Sequence, residues 1–185
     1  MKKNMKTIYT IIICLLFVTV NNAQERFLTK NGSISFFSSA VVKDFKADNN
    51  QVLSIIDAGS GQMAIAILMK SFMFEKALMQ EHFNENYVES DKFPKATFRG
   101  DIVDFESITD LETKAEVEGV ISIHGVSKEI VIGANITKAE ESIFVKGEFN
   151  ILLADYDIEI PRVVSKSIAK KIKVTFDFNH KPYKK

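Results

Sequence analysis

The histidines are the residues of this sequence best suited to metal or acid–base chemistry. His82 stands beside Glu81 and close to Glu85, and His124 directly precedes Gly125. A structural zinc site needs four ligands held close together, and no two histidines stand at the spacing of a zinc-binding motif. We therefore expect no metal site. We interpret His82 as capping or packing a helix, and His124 as fixing a tight hairpin through hydrogen bonds.

Other candidates for catalysis are weaker. Asp155 and Asp157 flank Tyr156, and two carboxylates on one face could serve glycoside hydrolysis. Residues two apart on a strand share a face, so an exposed acidic face is the commoner outcome. A serine nucleophile would need an adjacent base and a turn such as Gly-x-Ser-x-Gly, which the sequence lacks. We expect a protein that is not an enzyme and uses no cofactor.

Phenylalanine dominates the aromatic content, with 15 Phe and no Trp. These rings supply a large apolar area without a polar group, which must be buried in a core, an interface or a ligand cavity. The same side chains could fill a dry core, because a packed barrel and a hollow one alternate in the same way. The candidates for lining a cavity face inward in alternating segments: Phe36, Phe98, Ile123, Val145, Phe149 and Phe176.

The first 23 residues differ from the rest of the chain. Three lysines lie within the first six residues, an apolar run follows over residues 8–20, and Ala23 is a small residue before Gln24. This order is the layout of a secretory signal peptide, and the run is shorter than the roughly 20 residues of a membrane-spanning helix. We predict a signal peptide over 1–23, cleavage near Ala23–Gln24, and a domain over 24–185 that is periplasmic or secreted without stable membrane insertion.

Charge and cysteine content narrow the function further. The predicted signal contains three of the 24 basic residues and none of the 24 acidic ones, so the remainder has a formal charge of −3. A nearly neutral domain without a basic block attracts a phosphate backbone only weakly, so we expect no nucleic-acid partner. The one cysteine, Cys14, lies inside the predicted signal, so the mature domain would have no disulfide.

Most of the remaining chain alternates between apolar and polar residues with a period of two, as half-buried strands do. The clearest examples are residues 143–151 and 171–178. From residue 75 to 87 the period changes to three and four residues, which predicts one short helix. Turns are predicted at Asn31–Gly32 and at 59–61, a hairpin-like connection at 124–128, and a break in the strand pattern at 48–50. Seven or eight strands and one helix indicate a mainly β sandwich or closed barrel.

Two segments resemble the YceI-like lipid-binding family. Residues 72–98 are similar to the family's central strand, its short helical segment with a histidine, and its following strand with Thr-Phe. Residues 120–128, which read Val-Ile-Ser-Ile-His-Gly-Val-Ser-Lys, are similar to the family's His-Gly-Val-Thr-Lys hairpin. The order and the spacing of the two segments agree, and the resemblance extends over residues 26–178.

The resemblance implies a lipocalin-like closed antiparallel β-barrel of about eight strands with one short helix near one end. It also implies a long isoprenoid, quinone-like or fatty-acyl chain inside the barrel. Burial of each CH₂ contributes about 0.8 kcal/mol, so no specific polar contact would be needed for affinity. It further marks five positions of the family's motifs, which we interpret as structural: His82, Phe93, Pro94, His124 and Gly125.

Two hypotheses follow from these patterns. The first is an exported lipid-binding protein whose partner is an apolar lipid such as an isoprenoid. The second is a solid-core β-barrel without a ligand that acts as an interaction module of the cell envelope, presenting an exposed apolar patch. A homodimer is left open under either hypothesis.

Overall fold

The structure is a computed structural model that describes residues 25–40, 44–164 and 167–183. The predicted signal peptide and its cleavage site lie outside the described residues. Within these ranges, no helix combines the length and the apolar character that crossing a membrane requires.

Antiparallel strands account for most of the described residues, since alternating side chains bury one face and expose the other. The strands are β1 (Arg26–Ser38), β2 (Phe45–Asp57), β3 (Gln62–Leu68), β4 (Met73–Phe74), β5 (Lys95–Ile102), β6 (Thr113–Ile123), β7 (Val126–Ala139), β8 (Ser142–Leu152) and β9 (Lys171–Tyr183). One short helix, α1 (Ala77–His82), continues into a π-helical turn, Phe83–Tyr87. Short 3₁₀ turns lie at Met69–Ser71, Phe105–Ser107, Leu153–Tyr156 and Arg162–Val164.

The strands close into a barrel. The order around it is β1-β9-β8-β7-β6-β5-β3-β2, and β2 pairs with β1 again to complete the circle. The two-residue strand β4 pairs with β2 beside the barrel. Every pairing is antiparallel, which confirms the predicted closed antiparallel barrel of about eight strands with one short helix.

Two local predictions on the first strands are wrong. Asn31–Gly32 does not form a turn but lies inside β1, where the pairing with β2 shifts register on both sides of Gly32. The predicted break at 48–50 lies inside β2, close to this irregularity. A Cβ on Gly32 would stand 2.5 Å from the Cδ1 atom of Phe178. The dipeptide therefore gives β1 a bulge that makes room for a ring of the barrel interior.

Other turn predictions agree with the structure. Asp57 accepts hydrogen bonds from the backbone N–H groups of Gly59 and Ser60 through its Oδ1 atom and so holds the turn between β2 and β3. His124 and Gly125 form the two-residue connection between β6 and β7 with φ values of 52° and 80°. Positive φ at both central residues is the geometry that a tight hairpin requires.

A column of rings fills the half of the barrel away from α1. Phe149 and Phe176 have centroids 6.3 Å apart, Phe176 stacks on Phe178 at 5.6 Å, and Phe178 meets His180 edge-on at 6.0 Å. Gly147 leaves space beneath Phe176, since a Cβ there would be 2.7 Å from the ring. We call the region around Phe176, Phe178 and His180 the packed half of the barrel.

Candidate ligand cavity

An apolar cavity of about 260 Å³ occupies the half of the barrel next to α1. Inward side chains of the strands form its wall, among them Ile34, Ile121 and Val174. Two stretches of chain cover it, and we call them the cover segments: residues 77–88, and residues 153–164.

The polar side chains in this wall are few and lie at its margin. His82, Tyr87 and Ser167 are the polar residues that contribute to the lining. Burial raises the pKa of the Tyr87 hydroxyl, so that this group stays neutral over the ordinary pH range. The interior of the cavity can therefore interact with a ligand mainly through apolar contacts.

The cavity opens between the cover segments. Half of the wall residues on the strands are buried and the other half are partly exposed, as Ile160 and Val164 of the second cover segment are, whereas His82 of the first cover segment is exposed. The exposed His82 marks the opening, so a chain could enter beside the end of α1.

A cluster of phenyl rings packs the first cover segment onto the barrel. The rings of Phe36 and Phe83 stack with centroids 5.4 Å apart, and Phe74 and Phe83 lie 5.0 Å apart. Phe72 contacts both Phe36 and Phe83 at 5.1 and 5.7 Å. Aromatic pairs in such tilted and edge-to-face arrangements stabilise a contact by about 0.5–1.5 kcal/mol beyond area burial. The cluster therefore holds the helix over the cavity, together with the hydrogen bonds between the Gln80 side chain and the backbone of Phe72 and Phe74.

A second, smaller cavity of about 50 Å³ lies deeper in the barrel. The two cavities share part of their walls, namely Ile34, Ile67, Ile121 and Phe149. These four side chains therefore stand at the boundary between the cavities.

The six side chains proposed from sequence for the lining divide between these spaces. The large cavity is lined by Phe36 and Ile123, the small one by Phe98, Val145 and Phe176, and both by Phe149. Their contact with a ligand stays a prediction. Sequence reasoning did not include the lining from the cover segments, such as Met79 and Ile158. Met79 belongs to the helical period seen in the sequence, whereas the turn that places Ile158 has no clear pattern.

His124 joins the second cover segment, and the residue that directly follows the first one, to the β6–β7 hairpin. Its Nδ1 lies 3.0 Å from the carbonyl oxygen of Tyr156, and its Nε2 lies 2.9 Å from Oε2 of Glu89. Both partners accept hydrogen bonds, and a neutral imidazole has only one N–H. The two bonds therefore form together only when the His124–Glu89 pair carries one more proton than a neutral imidazole beside a carboxylate. That proton lies either on the imidazole or on the carboxyl group. We call the His124–Glu89 pair the link, because it connects the residue that follows the first cover segment to Tyr156 of the second.

Backbone strain is concentrated around the His124–Glu89 pair. Of the four non-glycine residues with positive φ among those described, Glu89, His124 and Asp157 lie at this link or beside it. Such conformations cost free energy and persist only where the surroundings hold them. The hydrogen bonds of His124 supply part of that restraint.

The other motif positions surround this link. The Phe93 ring lies 4.5 Å from the His124 ring, and a Cβ on Gly125 would stand 2.6 Å from Phe93. The carbonyl oxygen of Pro94 accepts a hydrogen bond from the backbone N–H of Met69, which begins the 3₁₀ turn after β3. The motif thus brings together three connections at the cavity end of the barrel.

The acidic pair considered for catalysis is not on a strand. Asp155 belongs to the 3₁₀ turn after β8, and Asp157 follows this turn with a left-handed backbone. The sequence interpretation of a shared strand face is therefore wrong here. Asp155 instead accepts a hydrogen bond from Nζ of Lys128 at 3.3 Å. Among the residues that the structure describes, no three His, Cys, Asp or Glu side chains come together as a group that could hold a metal ion.

The closed barrel with an apolar interior defines a lipocalin-like architecture. The model of the family described as YceI-like domain matches residues 18–180 of the chain. The chain therefore belongs to the YceI-like family. A comparison with curated proteins found no match.

Solved structures of other proteins have a similar fold. A polyisoprenoid-binding domain from Saccharophagus degradans, implicated in plant cell wall breakdown, aligns with a TM-score of 0.75 and 17% identity over 85% of this chain and 98% of that chain. BcnA of Burkholderia cenocepacia aligns with a TM-score of 0.67 and 15% identity over 80% and 95%. The YceI protein of Campylobacter jejuni aligns with a TM-score of 0.51 and 20% identity over 85% and 86%. At these identities the likeness concerns the fold.

Proposed function

We propose that this protein is a non-catalytic lipid carrier that holds a long apolar chain in the cavity beneath α1. The observation that carries the proposal is a cavity of about 260 Å³ whose wall is apolar apart from its margin. Water in such a space lacks hydrogen-bond partners, so an apolar ligand replaces it favourably. Each buried CH₂ contributes about 0.8 kcal/mol before the costs of binding.

An isoprenoid, quinone-like or fatty-acyl chain has the chemistry that fits this wall. The similar domain from Saccharophagus degradans is a polyisoprenoid-binding domain, which supports an apolar lipid as the class of ligand. The polar end of such a lipid would remain near His82, Tyr87 and Ser167 at the margin. The basic, apolar and small residues of the first 23 positions support export to the periplasm or the medium.

The alternative of a solid-core interaction module is favoured by one observation. Phe176, Phe178 and His180 fill the packed half of the barrel. In a solid-core barrel, side chains would fill the whole interior in this way. The cavity next to α1 favours the carrier, because close-packed interiors leave few voids larger than a water molecule.

Native mass spectrometry of protein purified from its host tests the proposal directly. Ala96 lies buried in the wall of the large cavity, so Ala96→Phe should fill it and prevent lipid retention. Val131→Phe is the matched control, because Val131 is exposed. We expect a bound lipid in the native protein and in the control, and none in Ala96→Phe. A native protein that carries no lipid and takes up no apolar fluorescent probe would contradict the carrier.

A further inference from the structure

The boundary between the two cavities consists of few side chains. Ile34, Ile67, Ile121 and Phe149 belong to both walls. Ile34 and Ile121 are each only 6% exposed, so the surrounding protein holds them firmly. Phe149 is the one aromatic residue of the four, and its ring is the largest obstacle between the spaces.

Phe149 points inward and yet is not fully buried. It shares the inward face of β8 with Ile143 and Val145, which are buried, whereas Phe149 retains intermediate exposure. An inward side chain with remaining exposure faces open space, here the cavities themselves. Its ring contact is with Phe176 at 6.3 Å and a tilt of 56°.

The next ring of the column, Phe176, also keeps intermediate exposure, but it is held by more contacts than Phe149. Phe176 stacks on Phe178 at 5.6 Å and lies against Gly147, where no Cβ would fit. Phe178 in turn covers Gly32 and contacts His180. The column beyond Phe149 is therefore held from several sides, and it closes the tube at the packed half.

We infer that Phe149 determines how deep an apolar chain penetrates, and thereby which chain length the barrel prefers. This inference rests on the proposed function. The ring ends the large cavity of about 260 Å³ and separates it from the deeper space of about 50 Å³. A chain that reaches Phe149 must stop or bend towards the opening, and its further methylenes gain no burial.

The affinity for linear apolar chains of increasing length should show where penetration ends. Each methylene that enters the cavity raises the affinity about fourfold, which is the transfer free energy of one CH₂ expressed as a ratio. Beyond the length that reaches Phe149, the affinity should level off. Truncation of the ring in Phe149→Ala joins the two cavities, so the plateau should begin several methylenes later.

The position of this plateau can be measured by competition with the fluorescent probe N-phenylnaphthylamine. The competitors are linear primary alcohols from octanol to eicosanol. Ile65→Ala is the matched control, because Ile65 lines the small cavity alone and its truncation leaves the boundary in place. We expect Phe149→Ala to shift the plateau to longer alcohols, and Ile65→Ala to keep that of the native protein. Should Phe149→Ala fail to fold, Phe149→Leu should give a smaller shift in the same direction.

The outcomes separate the two proposals. A native protein that binds no alcohol at any length contradicts the lipid carrier itself. Binding by the native protein, with an unchanged plateau in a folded Phe149 variant, overturns the inference and leaves the carrier standing. An equal shift in Ile65→Ala also overturns it, because the depth would then not depend on the boundary.

Discussion

At the scale of single residues, His180 is a group of the barrel interior whose pKa is strongly lowered. It lies in the packed half, where Nδ1–H donates to the carbonyl oxygen of Ile143 at 3.0 Å and Nε2 accepts from the Ser54 hydroxyl at 2.8 Å. Burial lowers the pKa of His180 from 6.5 to about 4, although the hydrogen bond to Ile143 opposes the shift. The ring is therefore a neutral part of the core near neutral pH.

This burial predicts a stability that falls in acid. Above the unfolded pKa of about 6.5 neither state is protonated at His180, and the full stability is present. As the pH falls from 6.5 towards about 4, the unfolded state binds the proton first. The free energy of unfolding then decreases by about 3 kcal/mol in total. Urea unfolding across this range should show the loss in the native protein and a flatter profile in His180→Gln.

The exposed His82 provides the control for this measurement, since His82→Gln should keep the pH profile of the native protein. An unchanged slope in His180→Gln would show that other groups cause the acid dependence.

His124 predicts a different effect, on the cover segments. Its hydrogen bonds to Glu89 and Tyr156 join them, and loss of such a bond costs about 1–3 kcal/mol when a partner remains unsatisfied. His124→Ala should lower the free energy of unfolding and speed the release of a bound apolar probe in stopped-flow measurements. Lys128→Ala removes only the exposed pair with Asp155 and should change both quantities little. Equal release rates in His124→Ala and the native protein would contradict this role.

At the scale of elements, the pairing of β5 with β6 depends on two facing glycines. Gly100 and Gly119 are directly opposite, and a Cβ on Gly100 would stand 2.0 Å from the carbonyl oxygen of Glu118. A Cβ on Gly119 would meet the carbonyl oxygen of Arg99 at 2.3 Å and the Phe98 ring at 2.8 Å. The close approach of these strands leaves no room for side chains at either position.

Gly100→Ala should therefore destabilise the barrel, because the added methyl group collides with backbone that cannot yield without shifting the strand. Overpacking of this kind costs about 1–3 kcal/mol. Gly133→Ala is the matched control, since a Cβ there has no atom within 4 Å, and we expect a change within about 0.5 kcal/mol. Denaturant unfolding of both variants measures the difference. Similar costs for the two substitutions would contradict the close approach.

At the scale of the whole molecule, the barrel is divided between a packed half and a hollow half. The column from Phe176 to His180 fills one end, and the cavity of about 260 Å³ occupies the other beneath α1. The packed half stabilises the closed barrel, so the hollow half can remain open to a ligand. Side chains in the packed half thus contribute to stability, and the hollow half provides the space for a ligand.

This division predicts that an apolar ligand stabilises the folded protein. Binding to the folded state alone adds about 2.7 kcal/mol when the free ligand exceeds its Kd a hundredfold. Thermal unfolding with and without dodecanol should show a higher Tm for the native protein. Ala96→Phe should show no such rise, because its added ring already occupies the cavity. A ligand-dependent rise in Ala96→Phe would mean that the alcohol binds elsewhere.

The sequence by itself determined most of the strands, the helix and the family. Alternation over residues 143–151 and 171–178 predicted β8 and β9, since a period of two specifies which face is buried. The change of period after residue 75 predicted the helix. These features depend on neighbours along the chain, and the motif around His124 belongs to one continuous stretch.

Only the tertiary structure decided where the chain bends and where the interior is empty. Asn31–Gly32 has the composition of a turn, yet the residues on either side of it pair with both β2 and β9 and so keep it inside β1. Alternation predicts that Phe149 and Phe176 point inward, but not that Phe176 packs on Gly147 and lines the small cavity alone while Phe149 lines both cavities. Local propensity and period are properties of neighbouring residues, whereas empty space depends on rings contributed by distant strands.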